Sequence, residues 1–207
     1  APILGDKVSF VNTSLEFSIK NLENKIFSGG LIVVNDLELQ AYALLNLKAK
    51  DLSYIGEKKL TEGPKILVAP GTGLGLAGIS GETVIATEAG HINISDKQFR
   101  PDLRAIIDSF TKENYRAPTY EDFLSGKGIT YFYETLSGKT NHELSSEEIL
   151  LARGDKYSLQ TIDVLNYLFS SYLRYMALVW GSHGGVLLSG SIVNSLLLKE
   201  DYQEFRN

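Results

Sequence analysis

Between Pro70 and His91 the sequence PGTGLGLAGISGETVIATEAGH carries residue types that can do chemistry at short spacing. Gly71-Thr72-Gly73-Leu74-Gly75 places three glycines at alternate positions, entered from the apolar run Ile66 to Ala69 and left by another. Such a loop permits positive φ and removes Cβ bulk, so that backbone amides and the Thr72 hydroxyl could meet a bulky anion such as phosphate. A plain tight hairpin is the competing reading, because a short glycine motif is weak without context. A little further on, Glu88-Ala89-Gly90-His91 sets a carboxylate and an imidazole around two small residues, a pair suited to hydroxyl groups. A surface acid and a capped histidine would read the same way.

Two further acids stand at element ends. Asn35-Asp36 closes the four-residue apolar run Leu31 to Val34, and a helical pattern begins directly after it, with Leu37, Ala41, Leu44 and Leu45 repeating as far as Leu47. Asp36 could cap that helix, a contribution of about 0.3–1 kcal/mol at an exposed site. It could equally face a ligand at the carboxyl end of a strand, where α/β sheets bind theirs. Glu121 follows Thr119, which stands at capping-box spacing from Asp122; here the choice is between a dipole-favouring acid and a ligand.

Several elements must position these groups. Lys7 to Val11 is expected as a strand, and Phe17 to Lys25 as a helix capped by Ser14. Leu31 to Val34 has the pattern of a strand covered on both faces. Polar residues 48–64, with the Glu57-Lys58-Lys59 cluster, are expected as a connection. Strands are then predicted at Ile66 to Ala69, Thr83 to Thr87 and Ile92 to Ile94, and a helix over Phe99 to Phe110. Gly126 and Gly128 suggest a turn before a helix from Ile129 to Leu136. Another helix begins at Ser145 to Glu148, and Ser158 opens a long one running to Trp180. A strand bracketed by glycines, Gly184 to Gly190, precedes a last helix from Ile192 to Leu198. Strands and helices interleave without an internal repeat, so the class is α/β, with a mixed sheet over residues 65–95 packed by the long helix.

Composition bounds the function. The 207 residues, 43% hydrophobic, can bury a sizeable core. A net charge of -5 argues against nucleic-acid or anionic-membrane partners. The absence of cysteine excludes disulfides and thiolate metal sites, and with no basic, apolar start it fits a cytoplasmic protein. Leu159 to Trp180 is apolar but interrupted by Asp163, Asn166 and Arg174, which marks a buried helix instead of a membrane span.

Taken in order, Ala1-Pro2-Ile3-Leu4-Gly5-Asp6, Val11-Asn12-Thr13 with Phe17-Ser18-Ile19, Asn35-Asp36, Gly71 to Gly75, Glu88 to His91, Phe123-Leu124-Ser125-Gly126 and Gly184-Gly185-Val186 with Ser189-Gly190 resemble the bacterial glucokinases of the hexokinase/actin-like ATPase superfamily. The resemblance implies an actin-like ATPase (ribonuclease H-like) architecture: residues 1–47 as the remainder of a small lobe and 48–207 as a large lobe. It implies transfer of the ATP γ-phosphoryl group, with Mg²⁺, to the 6-hydroxyl of glucose or a similar hexose. Asp36 would be the base, and Asn35, Glu88, His91 and Glu121 the sugar ligands. Gly71, Thr72, Gly73 and Gly75 would form the second phosphate loop, and Gly190 would lie on the nucleotide side. The family's Glu-Gly-Gly-His tetrapeptide has Ala89 in place of its first glycine here. The family's opening Asp-Gly-Gly-Thr-Asn loop and its closing glycine-rich segment have no counterpart in these residues. The resemblance therefore implies either part of a longer kinase, inactive as these 207 residues alone, or a reduced relative; a non-catalytic sugar-binding or regulatory protein lacking the first phosphate loop is the alternative. An incomplete small lobe would leave unpaired strand edges that invite association, as in a homodimer.

Overall fold

A computed structural model describes residues 5–9, 14–27, 29–55, 61–94, 99–139, 143–152 and 154–197. The landmarks Ala1 to Leu4 and Val11 to Thr13, the Glu57-Lys58-Lys59 cluster and Leu198 lie outside them.

The frame is a four-stranded mixed sheet in the order β5-β4-β3-β6. Strands β3 (Lys65–Pro70) and β4 (Leu74–Ser80) form a hairpin, β5 (Thr83–Thr87) pairs antiparallel with β4, and β6 (Gly185–Leu188) returns parallel to β3. Period-two alternation splits the apolar residues of β3 and β4 between two faces. Ile66, Val68, Leu74 and Leu76 join the larger core, which is built with α3 (Pro101–Asn114), α4 (Tyr120–Phe123), α5 (Gly126–Ser137), α6 (Ser146–Leu151), α7 (Lys156–Trp180) and α8 (Ser191–Leu197). Leu67, Ala77, Ile79 and Val84 face the other way, onto Ala41, Leu37 and Leu44 of α2 (Asp36–Leu44). Gly78 belongs to the first face, where a Cβ would stand 1.7 Å from the Trp180 ring at the end of α7.

The long helix α7 spans 25 residues between an Asp155 cap, whose carboxylate accepts from Ser158 N at 2.8 Å, and Gly181 in the left-handed conformation. It therefore begins two residues before Ser158, because an aspartate three positions ahead of that amide is already in place to cap it. No helix among the described residues is long and apolar enough to cross a membrane.

Other boundaries also move. A second, two-stranded sheet pairs β1 (Lys7–Ser9) with β2 (Glu16–Ser18), and α1 (Ile19–Ile26) follows. Its cap is Ser18, not Ser14: Ser18 accepts from Asn21 N at 3.0 Å, while Asp6 takes the Ser18 hydroxyl at 2.7 Å and Lys20 N at 2.8 Å. Glu16 to Ser18 are thus drawn into the sheet before the helix can start; Phe10 and Val11 of the expected first strand lie outside the described residues.

Leu31 to Val34 is not a strand, and Ile32 is 88% exposed. An apolar run becomes a strand only beside a hydrogen-bonding neighbour, and among the described residues no strand pairs with it. Ile92 to Ile94 contributes only an isolated bridge, Asn93 to Thr119. Gly126 and Gly128 lie inside the first turn of α5, capped by Ser125, because α4 and α5 meet so closely that a Cβ at Gly128 would stand 2.2 Å from Phe123 O.

Candidate functional site

The turn between β3 and β4 organises the site. Gly71 N donates to Gly73 O at 2.8 Å, and Gly126 N at the start of α5 donates to Gly71 O at 2.9 Å. Leu74 and Gly75 already belong to β4, so the loop proper is Gly71 to Gly73, with exposed Thr72 at its tip. None of Gly71, Gly73 and Gly75 has a φ in the left-handed region, so positive φ is not the reason for these glycines. Their surroundings differ instead. A Cβ on Gly71 would meet nothing within 4 Å, one on Gly73 would stand 2.7 Å from Glu121 Oε2, and one on Gly75 2.6 Å from Leu37 Cδ2.

Glu121 reaches the turn from α4, a helix of only four residues that depends on its cap. Thr119 Oγ1 accepts from Asp122 N at 3.2 Å, and Asp122 Oδ2 returns the bond by accepting from Thr119 N at 2.7 Å. Arg116 forks onto the same carboxylate at 2.6 and 2.7 Å. Burial opposes ionisation of Asp122, but the bonds from Arg116 and Thr119 outweigh it and hold the carboxyl below the ordinary aspartate range. So fixed, Glu121 accepts from Leu74 N at 2.9 Å through Oε2.

Glu88 and His91 come to the same place from the end of β5. Residues Ala89–His91 make a single 3-10 turn, with His91 N donating to Glu88 O at 3.0 Å. Thr87 anchors it, its hydroxyl donating to Leu76 O at 2.7 Å and accepting from Ala89 N at 3.3 Å. A Cβ on Gly90 would stand 2.3 Å from Leu74 O, so only glycine lets this turn press on β4; Ala89 packs its methyl against the main core without such a conflict. Tyr120 N donates to Ile92 O at 3.0 Å and Ile94 N to Pro118 O at 2.7 Å, stitching this segment to the α4 entry. His91 Nε2 lies 3.3 Å from Glu88 Oε2, and its Nδ1 lies 3.7 Å from Glu121 Oε1. All three side chains are partly open to solvent.

Asn35 and Asp36 approach the same end of β4 from the opposite face of the sheet. Asn35 is the cap of α2 and Asp36 its first residue, and both Oδ1 atoms accept from Leu37 N at 2.9 Å. Capping is therefore shared, with the cap position held by Asn35. Leu37 then seats against Gly75. Further along, Ser189 Oγ donates to Gln40 Oε1 at 3.1 Å, tying α2 to the end of β6. Gly190 follows with φ +106°, and a Cβ there would stand 2.6 Å from Pro70 O at the mouth of the turn. This contact requires glycine twice over, by φ and by space.

The chemistry on offer is a glycine turn with an open tip, bordered by carboxylates and an imidazole, with the Asn35 carboxamide at the start of α2. These groups accept and donate hydrogen bonds in the pattern a polyhydroxylated ligand needs. Among the described residues no group of three or more His, Asp or Glu is arranged to hold a metal ion.

The sequence model of the family described as Glucokinase matches residues 1–207. This chain belongs to the glucokinase family. Curated glucokinases similar to it include that of Neisseria gonorrhoeae, 34% identical over 209 residues, with 95% of this chain and 62% of the relative covered. That of Helicobacter pylori strain 26695 is 30% identical, with 93% and 62% covered. The chain thus spans about three fifths of the length of these glucokinases. Among solved structures, a glucokinase from an Antarctic psychrotroph superposes with a TM-score of 0.76 at 26% identity, over 98% of this chain and 66% of that one. The glucokinase of Balamuthia mandrillaris, solved in complex with glucose, gives 0.78 at 19% identity over 94% and 62%, a likeness of fold. The α/β class and actin-like ATPase architecture are those of the glucokinase family.

Sequence reasoning missed Arg116, which steadies the Glu121 turn, and Leu37, which seats α2 on the hairpin. An arginine three residues before a capping threonine is a weak signal, but the Thr119-Asp122 spacing itself pointed to this turn.

Proposed function

We propose that the protein to which this chain belongs is a cytoplasmic glucokinase that transfers the γ-phosphoryl group of ATP to the 6-hydroxyl of glucose. Catalysis of that transfer is mostly positioning and charge neutralisation. The observation that carries the reading is Glu121, one carboxylate that bonds the amide of Leu74 beside the glycine turn and also faces His91, itself beside Glu88. A sugar held there by Glu88, His91, Glu121 and Asn35 would sit against the turn that meets phosphate.

In this reading Asp36 takes the hydroxyl proton as the phosphoryl group transfers. Its place in the first turn of α2 sets the carboxylate beside Leu37, which fixes the helix on Gly75 near the start of β4. Gly71 and Thr72 form the open tip of the phosphate side, with Gly73, Gly75 and Gly190 closing it behind. Mg²⁺ would arrive on the ATP phosphates, keeping most of its waters and neutralising their charge. Residues 1–47 would be the remainder of the small lobe and 48–207 the large lobe, with α2, the last helix of the first, packed on the four-stranded sheet of the second. A homodimer belongs to the same proposal, and light scattering tests it.

The test is glucose-dependent ADP release by the complete gene product. Asp36→Asn keeps the shape and much of the hydrogen bonding but cannot accept a proton. Turnover should fall by about 10²–10⁴-fold with glucose affinity held within a few fold. Unchanged turnover would remove Asp36 from the mechanism, and wild-type protein that releases no ADP with glucose would overturn the kinase reading.

A further inference from the structure

Glycines in a phosphate loop are ordinarily explained by the anion, yet the space at two of these three is already taken by protein. Only Gly71 opens onto empty space. At Gly73 a Cβ would meet Glu121 Oε2 at 2.7 Å and Cδ at 3.2 Å, and at Gly75 it would meet Leu37 Cδ2 at 2.6 Å. Glu121 stands on one face of the sheet and the Leu37 helix on the other, so the two glycines receive the two sugar-side elements separately.

We propose that Gly73 and Gly75 are positioning residues for the sugar-side carboxylates: Gly73 admits Glu121 to the Leu74 amide, and Gly75 seats Leu37 and thereby sets Asp36. This rests on the kinase reading of the site. The conflicting atoms are the far ends of side chains, Glu121 Oε2 and Leu37 Cδ2. An added methyl group would therefore be relieved by displacing those side chains while the hairpin itself stays intact. Glu121 would leave the amide of Leu74, 2.9 Å away, and its other oxygen would shift from His91. Leu37 would be pushed off β4, carrying with it the first turn of α2, in which Asp36 lies.

A phosphate-contact role and a positioning role predict opposite splits. Glucose binding by calorimetry without nucleotide, and KM for ATP and kcat by ADP release, are measured on the complete gene product. Gly73→Ala should weaken glucose about tenfold and leave KM for ATP within about threefold. In a Glu121→Asp background, where the shorter side chain has withdrawn, the same change should cost glucose affinity less than about threefold, the non-additivity of groups in contact. Gly75→Ala should lower kcat with KM for ATP unchanged, and Leu37→Val, which removes the δ carbons, should restore most of it. Thermal unfolding midpoints close to wild type would accompany each loss. A rise in KM for ATP with glucose binding intact, or full additivity between Gly73→Ala and Glu121→Asp, would overturn the proposal while leaving the kinase reading standing. Wild-type protein that fails to bind glucose would overturn both.

Discussion

Replacing Asp122 by alanine tests how the site is held up. Its carboxylate accepts from Thr119 N at 2.7 Å, Thr119 Oγ1 at 2.9 Å and both terminal nitrogens of Arg116. Asp122→Ala deletes the return half of the capping box, worth ~0.5–2 kcal/mol. It also deletes an ion pair whose arginine is half exposed, worth ~0–1 kcal/mol. Arg116 itself stays stacked on Phe110 at 5.0 Å, so little packing is lost. The sum is ~0.5–3 kcal/mol, read by urea unfolding, with a midpoint temperature falling ~2–4 °C per kcal/mol in a chain of this size. Asp122→Asn, which keeps an acceptor for Thr119 N, should cost less. The pH dependence follows from the depressed carboxyl. Its folded pKa lies below the unfolded value of ~3.9, so its contribution is complete above that pH and is lost as pH falls through the folded pKa. The gap between wild type and Asp122→Ala should therefore be full at pH 7 and close in acid. Equal stability at pH 7, or a gap that does not shrink once acid protonates this carboxylate, would refute the assignment of this carboxylate as the anchor of α4.

Two further expectations come from contacts of opposite kinds. Gly90→Ala drives a methyl group to 2.3 Å from a backbone oxygen, Leu74 O, which cannot swing aside; unfolding should shift by ~1–3 kcal/mol, the range for overpacking, and glucose binding should be lost with it. Tyr172 is fully buried, its ring 4.8 Å from that of Tyr120, and its hydroxyl has no hydrogen-bond partner among the described residues. Burial, with the nearby charges of Tyr120 and Glu121, pushes that hydroxyl's pKa well up. An unpaired buried hydroxyl costs ~1–3 kcal/mol, so Tyr172→Phe should raise the urea midpoint, and a lowered midpoint would show that the hydroxyl is paired.

What could be read without coordinates was what depends on neighbours in the chain. Strand β5 over Thr83 to Thr87, the hairpin around Gly71 and the Thr119-Asp122 box are local patterns, and each stands where its pattern puts it. The misreadings are choices between equivalent local signals that a distant group decides. Ser14 and Ser18 are equally good caps by type, and Asp6, twelve positions upstream of Ser18, selects the second by holding its hydroxyl. Leu31 to Val34 has the composition of a strand, but composition supplies no pairing partner.

The glycine turn shows the same limit at the candidate site. Alternating glycines announce that something approaches closely, and an anion is the natural guess when only the loop is visible. Which atom approaches is a tertiary fact. At Gly73 it is a carboxylate 48 positions further along the chain, and at Gly75 a leucine 38 positions earlier. A glycine required by a partner side chain differs physically from one required by backbone φ. The first can be compensated by shortening that partner, whereas the second can only be restored by glycine. Gly190, with φ +106° and Pro70 O in its path, is of the second kind, and no change elsewhere should rescue Gly190→Ala. Gly73 is of the first, which is why a shortened Glu121 is the informative partner for it.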